Sequence, residues 1–65
     1  MFRLIIEDKF IDYHLETAAE VANAVFENTG LWMLASHVKE VCACLTVGDK
    51  WENKDAGIII IKEDN

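Results

Sequence analysis

Thr17–Gly30, TAAEVANAVFENTG, is the stretch from which the rest of the chain is most readily placed. Its apolar residues Ala18, Val21, Ala22, Val25 and Phe26 fall at i, i+3, i+4, i+7 and i+8, the spacing of one helix face. Thr17 followed by Glu20 has the form of a capping box: the hydroxyl accepts from a free amide of the first turn, and the carboxylate reaches back to the cap. Asn28 and Gly30 supply the stop, because both tolerate the left-handed conformation that closes a helix. The other face carries Glu16, Glu20, Asn23 and Glu27. One side of this helix is therefore built to lie on apolar surface, and the other presents three carboxylates to water.

Upstream, MFRLIIEDKFIDYHL reads as a hairpin. Phe2, Leu4 and Ile6 alternate with Arg3, Ile5 and Glu7, and Ile11, Tyr13 and Leu15 alternate with Asp12 and His14. Asp8-Lys9 stands at the expected two-residue turn, without the Gly that a mirror-image turn prefers. A hairpin alone is marginal, and the helix that follows is placed to cover one of its faces.

Downstream, two periods compete. Leu31, Leu34, Ala35, Val38, Val41, Cys42 and Leu45 recur at helical spacing, whereas Val41, Ala43, Leu45 and Val47 alternate as in a strand. VCACLTV is rich in residues that suit strands, and it is the end of the chain that favours a turn or short helix over 31–39 and then a strand over 40–47. Ile58–Ile61 is an uninterrupted β-branched run, typical of a strand buried on both faces or paired centrally. Its expected neighbour is 41–47, across the polar connection GDKWENKDAG. Lys62–Asn65 form a charged end expected to fray. The fold class is α+β: a small antiparallel sheet with one helix on one face, in the order β-β-α-β-β, with 31–40 open to a second short helix. Residues 1–65 make one domain, whose small size leaves stability marginal.

Hydrophobic residues at 52% exclude disorder, and no apolar run approaches a membrane span. With no basic-then-apolar leader pattern, a soluble cytoplasmic protein is expected, in the host cytoplasm if it is viral. The net charge of −6 is unevenly spread: no Lys or Arg lies between Lys9 and Lys39, an interval holding Asp12, Glu16, Glu20 and Glu27. Such a field repels nucleic acid and membranes and attracts basic surfaces.

Chemistry-bearing groups are few. His14 and His37 lie in no nucleophile motif, no phosphate-cradling glycine loop is present, and Ser36 and His37 are adjacent residues rather than a dyad. No catalytic activity and no cofactor are expected. Cys42 and Cys44 are too close in sequence for an unstrained disulfide. They read as reduced core hydrophobes, against a weaker alternative in which both join a histidine around a metal. Trp32, among Leu31, Met33 and Leu34, reads as core. Trp51, among charged neighbours, either folds back to cap the sheet or projects as an anchor for a partner.

The leading expectation is a small acidic protein-binding module, an inhibitor or regulator that occupies a basic and possibly nucleic-acid-binding surface of a partner protein. Its carboxylates would imitate phosphate spacing, and small regulators of phage or mobile-element type share this profile. The candidate binding residues are Glu16, Glu20, Asn23 and Glu27 on the helix, with Trp51, Glu52 and Asp55 downstream. The alternative is a homo-oligomerising structural module, such as a homodimer, in which a second copy buries an exposed strand or face.

Overall fold

The computed structural model describes residues 1–64, and the chain forms two layers: a four-stranded antiparallel sheet and a pair of helices. The elements are β1 (Phe2–Ile6), a short 3-10 turn (Glu7–Lys9), β2 (Ile11–Leu15), α1 (Ala18–Thr29), α2 (Trp32–Cys44), β3 (Lys50–Asn53) and β4 (Ile58–Lys62). The strand order is β2-β1-β4-β3. The two most apolar strands, β1 and β4, therefore take the centre, and the strands carrying more polar residues take the edges.

Alternation sets which residues meet the helices. Phe2, Leu4 and Ile6 of β1 and Ile58 and Ile60 of β4 are buried, and so are Val21, Ala22 and Val25 of α1 and Ala35, Val38 and Cys42 of α2. Each fully buried Val, Leu or Ile contributes roughly 1.5–3 kcal/mol relative to exposure. Ile5, Ile59 and Ile61 stand on the opposite, uncovered side of the same central strands, where they are only partly buried.

Three parts of the chain depart from the sequence reading. The segment over 40–47 is not a strand: α2 runs to Cys44 in one helix. The helical period from Leu31 to Leu45 extends over far more residues than the local alternation. Its stripe packs on α1 and the sheet, while the flanks of β4 are already taken by β1 and β3. Second, Lys50–Asn53 is an edge strand within what reads as a polar connection, with Trp51 opposite Ile60 and Glu52 opposite Ile59. Third, the hairpin keeps the register of a two-residue turn, with Ile6 opposite Ile11, but it opens one pair earlier. The Glu7 amide donates to the Gly57 carbonyl at 2.8 Å, so it pairs across β4 and not across the hairpin. Phe10 then closes the turn at φ 54°, a left-handed backbone unusual for an aromatic residue, with its side chain 96% exposed.

The end of the chain is tied down as far as Glu63. Lys62 belongs to β4 with its ammonium 5.4 Å from the Phe2 ring centroid, and the Glu63 amide donates to the Met1 carbonyl at 2.9 Å. Asn65, part of the expected fraying end, lies outside the described residues. Among those residues no helix is long and apolar enough to cross a membrane.

Candidate protein-binding surface

α1 forms as its sequence specifies. Thr17 is the N-cap and its hydroxyl accepts from the Glu20 amide at 3.2 Å. The Glu20 carboxylate reaches back to the amide of Glu16, one residue before the cap, also at 3.2 Å. Gly30 ends the helix at φ 71°, and its amide donates to the Phe26 carbonyl at 2.8 Å. α1 carries no basic residue in its last turn, but one arrives from the hairpin: Lys9 Nζ donates to the Asn28 carbonyl at 2.7 Å. A cation there complements the negative end of the helix.

Glu16, Glu20, Asn23 and Glu27 are all exposed. Glu20, Asn23 and Glu27 line a shallow groove between α1 and β2, whose other wall is Tyr13 and Leu15. Asn23 also borders a second groove, between the helices, lined by Ala22, Phe26, Trp32, Ala35, Ser36 and Lys39. Among the described residues, Glu16, Glu20 and Glu27 form no salt bridge. The acidic side of α1 thus stands unneutralised beside an apolar furrow.

The downstream candidates lie elsewhere, at the β3 edge, whereas α1 packs over β1 and β2 at the other. Trp51 takes the folded-back alternative. It is half-buried against the core, and its ring stands edge-on to His37 with centroids 5.8 Å apart. Glu52 lies on the uncovered side of the sheet opposite Ile59, and Asp55 is exposed in the turn before β4. The structure therefore brings the α1 residues together and separates them from Trp51, Glu52 and Asp55.

The apolar residues assigned to the core include two that are not there. Trp32 is 67% exposed and Phe26 is 47% exposed, and with Leu31 and Met33 they form an apolar corner where α1 turns into α2. Trp32 is the tryptophan this protein presents. The sign of it lies in the helical period: the α2 stripe through Leu34, Ala35, Val38, Val41, Cys42 and Leu45 leaves Trp32 and Met33 on other sides of the helix. While 31–39 can be read as a turn, that sign is invisible. A contiguous exposed apolar patch on a small protein marks a site of interaction.

The cysteines diverge. On a strand both sulfurs would share a face; on α2 Cys42 is buried and Cys44 exposed. Burial pushes the Cys42 thiol up to about 11, so it stays neutral at physiological pH. His14 sits on the uncovered side of the sheet, with Nδ1 3.4 Å from Glu63 Oε1. Cys42, Cys44 and a histidine do not gather: no group of three such side chains among the described residues is placed to hold a metal ion.

No protein-family model matches the chain, and neither a curated protein nor a solved structure matches it.

Proposed function

We propose that this is a protein-binding module that docks the outer side of its helical layer on a partner with a basic surface around an apolar site. Trp32 and Phe26 are the anchors, and Glu20, Asn23 and Glu27, with Glu16 beside the α1 cap, form the acidic border. The support is one juxtaposition: Phe26, Leu31, Trp32 and Met33 are exposed together at the corner that follows α1, and Glu16, Glu20 and Glu27 along that helix form no salt bridge among the described residues. Binding hot spots are enriched in desolvated Trp, while border charges act mainly on the rate of encounter. Occupying the partner's surface in this way makes the protein an inhibitor or regulator with no bond-making step of its own.

Immobilised protein, offered to an extract of the native host, tests this with two variants beside the wild type. Replacing Glu16, Glu20 and Glu27 by Gln keeps size and helix propensity; the retained partner then associates more slowly and with weaker salt dependence. Trp32→Ala leaves association nearly unchanged and speeds dissociation by about thirtyfold, the scale of a 2 kcal/mol hot spot. A partner held equally by all three proteins, or none retained by the wild type, overturns the reading.

A further inference from the structure

The uncovered side of the sheet carries an ordered charge pattern. Strand register aligns its residues in two adjacent rows running across the strands. One row reads Glu52, Ile59, Ile5, Asp12, and the next reads Lys50, Ile61, Arg3, His14. The first row is acidic at both ends with two isoleucines between. The second is basic at Lys50 and Arg3, with Ile61 between them. Ile5, Ile59 and Ile61 belong to neither the buried core nor the apolar residues packed against it. The Arg3 guanidinium pairs with Asp12 across the rows at 2.7 Å, and this hydrogen bond holds the Asp12 carboxyl below its ordinary range.

We infer that this face binds a second copy of the chain. A two-fold axis lying across the strands, between the two rows, turns one copy over and sets its acidic row on the basic row of the other. Glu52 then meets Lys50 of the second copy, Asp12 meets His14, Ile59 meets Ile61, and Ile5 lies on the aliphatic stem of Arg3. Two copies of a protein of net charge −6 repel, so an isologous contact needs a face that complements itself. These rows do so, whereas the carboxylate face of α1 would meet its own charge. The arrangement is that of two sheets packed face to face with near-aligned strands.

Size sets the strength. Four strands spaced about 4.8 Å and five residues of about 3.3 Å give a face of about 19 by 17 Å. That is small beside the roughly 800 Å² per partner of a standard interface, so the dimer is concentration-dependent and not obligate. It leaves the Phe26–Met33 corner free, because that corner lies in the helical layer on the other side of the sheet.

Sedimentation equilibrium on the full chain, from about 10 μM to about 1 mM, reads out a contact of this size. The wild type dimerises in this range. Glu52→Lys, an exposed substitution at a strand edge, sets lysine against lysine twice and weakens the dimer by about tenfold or more. The double variant Lys50→Glu/Glu52→Lys exchanges the two charges and restores dimerisation, which separates lost complementarity from lost folding. Amide chemical shifts followed on dilution move at Ile5, Ile59, Ile61 and His14. A wild type that stays monomeric throughout overturns the inference. So does a Glu52→Lys variant that dimerises unchanged, a double variant that stays as weak as the single one, or dilution shifts confined to Phe26–Met33.

Discussion

The two helices lie side by side on one sheet, yet they form for different reasons. α1 is specified at both ends by its own residues, with the Thr17 cap, the Glu20 carboxylate reaching back and the left-handed Gly30. α2 has none of this. Its N-cap is Leu31 with no side-chain bond, its first turn has no acid, its last turn has no base, and Leu45 leaves it in an extended conformation. It holds together through Ala35, Val38 and Cys42, buried against α1 and the sheet. A helix of this length is marginal alone, so α2 depends on tertiary packing where α1 also has local support. Local signals suffice to end and start α1, and the assembled core decides α2.

Both helices share one core, and a charge placed in it should do the most damage. Val25 is fully buried on α1. Val25→Asp places a charge there with no partner in reach, at a cost of several kcal/mol in a domain of marginal stability. Circular dichroism should show no cooperative unfolding transition. Glu20→Gln, which keeps an acceptor near the cap, should melt within a few degrees of wild type. A folded Val25→Asp with an unchanged midpoint would show that this face of α1 is not in the core.

A smaller effect sharpens the account of α2. Cys42→Ala removes a buried sulfur and should cost about 1 kcal/mol, the scale of a buried methylene, whereas Cys44→Ala on the exposed side should cost almost nothing. If 41–47 were a strand, the two would share a face and behave alike. Alkaline titration gives an independent reading. Burial raises the Cys42 thiol from 9.0 to about 11, so the folded state favours the protonated form. Its contribution is fully present below the unfolded value and is lost as pH rises through the folded one. Wild-type melting temperature should therefore fall between these values by more than that of Cys42→Ala. Parallel curves would show that Cys42 does not carry the alkaline loss.

This contrast also explains what was legible in the sequence. α1 could be read to its caps because its signals lie within a few residues of one another. The central place of β4 followed from Ile58–Ile61, an unbroken β-branched run of the kind that pairs centrally, although its Ile59 and Ile61 side is left uncovered. The extent of α2 was open because VCACLTV satisfies two periods, and only the occupied flanks of β4 decide between them. β3 was hidden because an edge strand of four residues half-buries only Trp51 and Asn53, too little to outweigh Lys50, Glu52 and Lys54. For the surface, Glu16, Glu20, Asn23 and Glu27 were legible as one exposed face. The Phe26–Met33 corner was not, since an apolar residue is assigned inward until the fold supplies no inward place for it.

The smallest effects come from editing the helix ends. Thr17→Ala removes the hydroxyl that accepts from Glu20 and should cost about 1 kcal/mol, a fall of about 4–8 °C in melting temperature for a domain of this size. Leu31→Ser makes the reverse change at α2. Leu31 already has an extended N-cap backbone, at φ −102° and ψ 93°, and is 55% exposed, so a serine oxygen can cap the first turn with little loss of packing. A gain of about 0.5 kcal/mol is expected, toward the low end of what a cap contributes. The pair of melting curves should move in opposite directions. If Leu31→Ser instead lowered the midpoint, the α2 N-terminus would be held by the Leu31 side chain, and the apolar corner would be part of the fold as well as an interaction surface. If Thr17→Ala left the midpoint unchanged, α1 would be as dependent on the core as α2, and the distinction between the two helices would disappear.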